Sequence, residues 1–300
     1  MKTVVITGAT GFIGGYLTKE LLSKEIKVYG IGTDVRKLTA ANFGKNFVPI
    51  VADFRVYNNL DKYIDEPIDV FYHMAWHGGF TTALKDYSLQ LDNARAACDA
   101  LTSAANLKCK KFVYAGTVNE IEMNNERFEP RNTCIYASAK VAADMICRTL
   151  AHNENMEYCS ALIPLPYGVG NDSRQLINTV IKNCYTGQPS KLITGENQYD
   201  IAHISDIAKA LYYIGLSGKT MKSYYIGHRK LKKFKEIVTE MRDAINPNAE
   251  LRFGEYQDSL NMDYSYTDLD ALYNDTGFEC EADFAETIRE QAEWLKSINF

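Results

Sequence analysis

Val4-Val5-Ile6-Thr7-Gly8-Ala9-Thr10-Gly11-Phe12-Ile13-Gly14 decides how this chain is read. Val4, Val5 and Ile6 are apolar and β-branched, the composition of a strand buried on both faces of a parallel sheet. Glycines follow at positions 8, 11 and 14. Gly8 permits a tight turn off the strand, Gly11 lets backbone approach a phosphate, and Gly14 lets the next helix lie close to the sheet. That helix is amphipathic, with Tyr16, Leu17, Leu21 and Leu22 as its apolar residues. Its first turn offers unpaired N–H groups and a partial positive charge, which suit a pyrophosphate. Glycine spacing alone is a weak signal; the strand before it and the helix after it are the context the motif needs. Gly8, Thr10, Gly11, Phe12, Ile13 and Gly14 are therefore candidate cofactor contacts. The plainer reading is an ordinary strand-to-helix turn.

Three hundred residues suit one α/β domain with a smaller lobe attached. The chain is 46% hydrophobic and 24% charged, a globular composition. Its net charge of −5 argues against a nucleic-acid or membrane-surface partner, either of which needs a basic face. No apolar stretch is long enough to span a bilayer, and Met1-Lys2 runs directly into the first strand without a signal-peptide pattern. Seven cysteines lie at irregular spacing with no Cys-x-x-Cys pair, so reduced thiols and a cytoplasmic location are expected. No His/Cys/carboxylate cluster suggests a metal.

Strand and helix patterns continue to alternate. Lys27–Ile31 reads as a second strand, followed by Gly32-Thr33-Asp34 and then Arg36 and Lys37. An open, doubly wound parallel sheet of the Rossmann type meets the adenosine ribose of a dinucleotide at this tip. An acid there favours the 2′-hydroxyl of NAD, and an arginine favours the 2′-phosphate of NADP. Asp34 stands about twenty residues past the glycine loop, the usual separation for the acid. Yet a small residue, Gly32, occupies the place where the acid is best set. The expectation is NADP, read by Thr33, Arg36 and Lys37, with NAD through Asp34 as the alternative. Arg36 and Lys37 also suit a solvated helix start.

Phe47–Val51 reads as a third strand. Asp53 and Phe54 follow it as candidate cofactor contacts, and Asp53 suits either an adenine amino group or a helix cap. Val70–Ala75 reads as a fourth strand. Its exit, Trp76-His77-Gly78-Gly79-Phe80, lies where an open α/β sheet binds ligand. Met74, Ala75 and Trp76 are candidate cofactor contacts. His77 is a candidate substrate contact, or an incidental loop histidine. Residues 84–106 read as a long helix carrying Asn93. Lys111–Ala115 reads as a fifth strand running into Gly116-Thr117-Val118-Asn119-Glu120, and the next helix holds Tyr136-Ala137-Ser138-Ala139-Lys140. Positions i and i+4 share a helical face, so Tyr136 and Lys140 project together. A lysine beside a phenol lowers its pKa, and Thr117 would meet Tyr136 across a carbonyl or hydroxyl group.

Ser160–Leu165 reads as a sixth strand, broken by Pro164-Leu165-Pro166-Tyr167-Gly168. Residues 1–165 are expected to form the dinucleotide-binding domain. Residues 166–300 are expected to form mainly a smaller substrate-binding lobe, with some segments returning to the first domain. In that second part Arg174–Tyr185 and Phe284–Trp294 read as helices, Asp200–Asp206 as a strand entering a helix at Ile207, and Tyr224–Gly227 as a strand. Arg229–Lys235 reads as the basic, solvated start of a helix.

These features resemble the extended short-chain dehydrogenase/reductases of the NAD-dependent epimerase/dehydratase type, which act on nucleotide sugars. The resemblance covers nearly the whole chain. It implies that Thr117, Tyr136 and Lys140 are the catalytic set, with Tyr136 and Lys140 matching the Tyr-x-x-x-Lys pair. It places Asp53, the His73-Met74-Ala75-Trp76 stretch, Asn93 and Pro164 on the cofactor side. Asp200 and Asp206 match acidic positions of its strand-to-helix segment, and Leu269, Leu272, Gly277-Phe278 and Trp294 resemble its C-terminal tail.

Departures from the pattern narrow the expected function. In 4,6-dehydratases an Asp-Glu pair follows the catalytic Thr and carries out the elimination; here Val118-Asn119 stand there, so dehydration is not expected. No cysteine near Thr117 supplies the proton-transfer group of the 3,5-epimerase/4-reductases. Ala115-Gly116-Thr117-Val118-Asn119-Glu120 is similar instead to a Gly-Ser-x-x-Glu subgroup rich in 4-ketoreductases. Leu165 replaces the family's diphosphate-binding Asn, and Tyr199 replaces its Arg. Either Arg174, Lys182 or Lys191 serves in their place, or the substrate is not a standard nucleotide sugar. Candidate substrate contacts are His77, Thr117, Val118, Asn119, Tyr167 and Arg174. The expected activity is NAD(P)H-dependent reduction of a keto group on a nucleotide-activated deoxysugar. The alternatives are a 4-epimerase holding NAD tightly, a reductase of some other small carbonyl, and a non-catalytic dinucleotide-binding protein. The resemblance also implies a homodimer through the helices at 84–106 and 136–152.

Overall fold

A computed structural model describes residues 1–41, 43–79, 82–124, 132–256 and 262–300. Six strands, β1 (Thr3–Thr7), β2 (Lys27–Gly32), β3 (Phe47–Val51), β4 (Val70–His73), β5 (Lys111–Thr117) and β6 (Glu157–Ile163), form a parallel sheet with a seventh strand, Lys222–Tyr225. The order is Lys222–Tyr225, β6, β5, β4, β1, β2, β3. This is the doubly wound Rossmann-type arrangement. Between them run α1 (Phe12–Ser23), α2 (Val35–Ala40), α3 (Tyr87–Asn106) and α4 (Asn132–Asn153), followed by α5 (Leu176–Thr186) and α6 (Ile204–Ser217).

Both faces of the sheet are covered, which is why its strands are apolar without alternation. All five residues of β1 are buried. Val4 and Ile6 enter a cluster with Leu17 and Leu21 of α1 and Ile207 and Leu211 of α6. Val5, pointing the opposite way, packs with Ala97, Leu101 and Cys147 of α3 and α4. Each such buried Val or Ile stabilises the fold by roughly 1.5–3 kcal/mol. A further cluster joins Ile177 and Ile181 of α5 to Phe234, Val238, Ile288 and Leu295.

Several boundaries differ from those read in the sequence. β4 stops at His73 rather than Ala75, because the Ala75 amide donates to the Thr7 hydroxyl (3.3 Å) instead of continuing the ladder. β5 continues to Thr117, which lies opposite Ile163. The helix expected over 84–106 begins as a separate 3-10 turn, Thr82–Lys85; α3 starts at Tyr87, capped by Asp86. The sixth strand ends at Ile163, and Leu165–Tyr167 leaves the main sheet to pair in parallel with Ile201–His203. α6 begins at Ile204 rather than Ile207. Part of the basic run, Lys232–Lys233, pairs antiparallel with Gln198–Tyr199 before a helix opens at Phe234. Among the described residues no helix is long and apolar enough to cross a membrane, and no group of three or more His, Cys, Asp or Glu could hold a metal ion.

Candidate active site

A cavity of about 550 Å³ opens over the carboxyl ends of β1, β4, β5 and β6, at the point where the strand order reverses between β1 and β4. The glycine loop forms one wall. Gly8 has φ +70°, and a Cβ there would press on Ala75 backbone at 3.0 Å. A Cβ on Gly14 would lie 2.1 Å from the Gly8 carbonyl oxygen, so only glycine lets α1 begin this close to the loop. α1 has no side-chain cap and no acid in its first turn. Gly8, Thr10, Gly11, Phe12, Ile13 and Gly14 all line the cavity. This cradle, which a side chain at position 14 would fill, fits the pyrophosphate of a dinucleotide.

Beyond β2, Gly32, Thr33, Asp34 and Lys37 reach the wall. Asp34 caps α2, accepting from the amides of Arg36 (2.9 Å) and Lys37 (3.4 Å). Arg36, expected at a 2′-phosphate, does not line the cavity. Its side chain is 91% exposed, leans on Asp34 and lies off the wall, as a solvated helix start would.

Asp53, Phe54 and Asn93 also stand off the wall. Asp53 caps the 3-10 segment Phe54–Tyr63 and pairs with the Arg55 guanidinium at 2.5 Å, which lowers its carboxyl pKa. Of the two roles that the sequence allows Asp53, the helix cap is the one present here. Phe54 packs edge-on against His77. Asn93 latches the loop after β4: it accepts from the His77 amide (2.8 Å) and donates to the His77 carbonyl (2.9 Å). Met74, Ala75, Trp76 and His77 do line the cavity. Phe80 lies outside the described residues.

Thr117, Tyr136 and Lys140 converge on the cavity, with Val118, Asn119 and Pro164 beside them. β5 delivers Thr117, and α4 delivers Tyr136 and Lys140 one turn apart. Burial raises the Tyr136 phenol, with Glu120 adding to the effect, while a side-chain hydrogen bond with Thr117 opposes it. The expected depression by Lys140 is absent because of where the ammonium points. Lys140 Nζ donates to the Ala115 carbonyl at 2.7 Å and stands 3.8 Å from the Trp76 ring centroid, but 5.9 Å from that of Tyr136. Burial brings Lys140 itself down to about 7, with Glu120 opposing the shift.

On the opposite wall stand Leu165, Pro166, Gln175, Tyr199, Asp200, Met262 and Tyr264. Leu165 and Tyr199 thus occupy the wall. Two expected substrate contacts do not reach it. Arg174 is exposed and off the wall, its neighbour Gln175 facing the cavity instead. Tyr167 is buried behind it, hydrogen-bonded to Thr287 (2.7 Å) and packed on Phe284. Among the described wall residues the lysines are Lys37 and Lys140, and there is no arginine. Asp200 is bound by the Tyr225 hydroxyl (2.7 Å), the His228 amide (2.8 Å) and His228 Nδ1 (2.8 Å). Sequence reasoning missed Tyr57, Gln175, Met262 and Tyr264 as wall residues.

Cradle, Thr-Tyr-Lys set and sheet together define an enzyme of the extended short-chain dehydrogenase/reductase class. More narrowly, the chain belongs to the NAD dependent epimerase/dehydratase family, whose profile matches residues 4–227. It is 20% identical to Protein CapI of Staphylococcus aureus over 328 residues, covering 97% of this chain and 97% of that one. It is 21% identical to CDP-abequose synthase of Yersinia pseudotuberculosis over 276 residues, covering 89% and 93%. UDP-glucuronic acid 4-epimerase from Bacillus cereus, solved with UDP-glucuronic acid and NAD, shares the fold with a TM-score of 0.81 at 18% identity over 99% of each chain.

Proposed function

We propose that this enzyme reduces a keto group, at C4, of a deoxyhexose carried on a nucleoside diphosphate. The observation that carries this reading is the convergence of the Tyr136 phenol and Thr117 on one cavity wall, with Val118 and Asn119 beside them. A protonated phenol is the form that donates to a developing alkoxide. A nicotinamide dinucleotide held by the Gly8–Gly14 cradle would supply hydride to the carbonyl carbon. Tyr136 gives its proton to the oxygen. Thr117 orients the carbonyl and stabilises its charge through its hydroxyl. Lys140 would hydrogen-bond the cofactor ribose. Val118 and Asn119, on the wall where an elimination would need an acid and a base, bring neither.

The Arg36 geometry supports NAD(H) over the NADP(H) first expected, with Asp34 and Thr33 beside the ribose. Residues 1–165 take the cofactor, and residues 166–300 mainly the sugar. Exposed Leu91, Met145 and Ile146 on α3 and α4 support these helices as the face of a homodimer, which sedentation-independent sizing by light scattering would test. The decisive experiment supplies purified protein with NADH and a panel of nucleoside-diphosphate 4-keto-6-deoxyhexoses. Net NADH oxidation with formation of a 4-hydroxy sugar is expected. Interconversion of 4-epimers on stoichiometric, non-exchanging NAD, without net NADH consumption, would replace this reading with an epimerase.

A further inference from the structure

We propose that Trp76 is a positioning residue: its indole, pinned by the buried amide of Gln90, sets where the Lys140 ammonium and the Tyr136 ring stand. The inference rests on the reading of Tyr136 and Lys140 given above and deepens it. Lys140 Nζ stands 3.8 Å from the Trp76 ring centroid and 5.0 Å from that of Tyr114, so two aromatic faces hold it. Such faces attract a cation, more strongly when water is excluded. Trp76 also meets Tyr136 edge-on, with centroids 6.0 Å apart and planes at 87°. One side chain thus touches both members of the Tyr-Lys pair.

The indole is itself fixed. Its Nε1 donates to Gln90 Oε1 at 2.8 Å, and Gln90 Nε2 donates to the Ala83 carbonyl at 2.9 Å. An indole N–H can only donate and a carbonyl can only accept, so the two partners dictate which way the amide faces. Gln90 is fully buried. Losing its acceptor leaves the indole N–H without a partner, which frees the ring to turn. A side chain that merely filled the wall would not need this second layer.

The chain has two tryptophans, so Trp294→Phe leaves Trp76 as the sole emitter. In that cofactor-free protein, Gln90→Leu is expected to shift Trp76 emission and to raise its quenching by acrylamide about twofold or more as the indole loosens. Under turnover Gln90→Leu should lower kcat about tenfold, and Trp76→Leu about a hundredfold. Trp76→Phe, which keeps an aromatic face, should recover most of the kcat lost in Trp76→Leu. Trp76 emission unchanged by Gln90→Leu overturns the proposal, as does a kcat for Trp76→Leu within about twofold of the parent. Should Trp76→Leu fail to fold, Gln90→Leu and the emission measurement decide. The emission arm needs no substrate, so failure of the ketoreductase reading leaves it intact.

Discussion

Glu120 Oε1 accepts the backbone N–H of Thr117 at 2.8 Å from a buried position behind the cavity wall. A Cβ at residue 116 would stand 2.8 Å from that oxygen, so Gly116 is what admits the carboxyl. Burial, with Asp144 nearby, raises Glu120 to about 7 against the opposing pull of the Thr117 amide, Lys140 and Arg148. A carboxyl whose folded pKa is raised contributes stability below its ordinary value of 4.5 and loses it as pH climbs through the folded value. Glu120→Gln keeps an acceptor and removes the titration. Its stability relative to the parent should therefore improve by about 1–3 kcal/mol between about pH 5 and pH 8. Parallel melting curves across that range would mean that the carboxyl does not titrate there.

Tyr136→Phe removes the proton donor while leaving the ring against Trp76. Turnover should fall by about 10²–10⁴, with dinucleotide affinity retained. Rapid-mixing measurement of hydride transfer separates the two. A variant that keeps most of its turnover would show that another group donates the proton.

Dinucleotide choice is read by a pair of substitutions. Arg36→Ala should leave the NADH-to-NADPH ratio of kcat/KM within about twofold, because the guanidinium lies off the wall. Asp34→Ala should shift that ratio toward NADPH and, by removing the cap of α2, cost about 1 kcal/mol of stability. A selective loss of NADPH use in Arg36→Ala would return the 2′-phosphate to that arginine.

Gly14→Ala should weaken dinucleotide binding at least about tenfold, since its Cβ would sit 2.1 Å from the Gly8 carbonyl oxygen and the loop must shift. Gly15→Ala, whose Cβ meets only the Ala9 carbonyl at 3.8 Å, is the matched control. Equal binding by the two variants, measured by calorimetry, would remove the argument from close approach.

The sheet and the convergence of Thr117, Tyr136 and Lys140 were legible because local pattern specifies them. An apolar run fixes a buried strand, and the spacing of Tyr136 and Lys140 fixes a shared face. The residues that stand off the wall have one cause: a side chain near a strand tip has several partners within reach, and sequence does not rank them. Asp53 took Arg55 and a helix cap, Asn93 took the backbone of His77, and Tyr167 took Thr287. The opposite wall was least legible. Gln175, Tyr199 and Tyr264 come from three separate segments brought together only by tertiary packing.

The strand Lys222–Tyr225 closes the sheet beside β6, although more than fifty residues separate the two in sequence. During synthesis β6 emerges long before its outer partner and presents an open row of N–H and C=O groups in the interval. Until about residue 225 has left the ribosome, the nascent sheet has an unguarded margin that can pair with another chain. Slowed translation between β6 and that strand should therefore lower the yield of soluble enzyme while leaving the specific activity of the molecules that do fold unchanged.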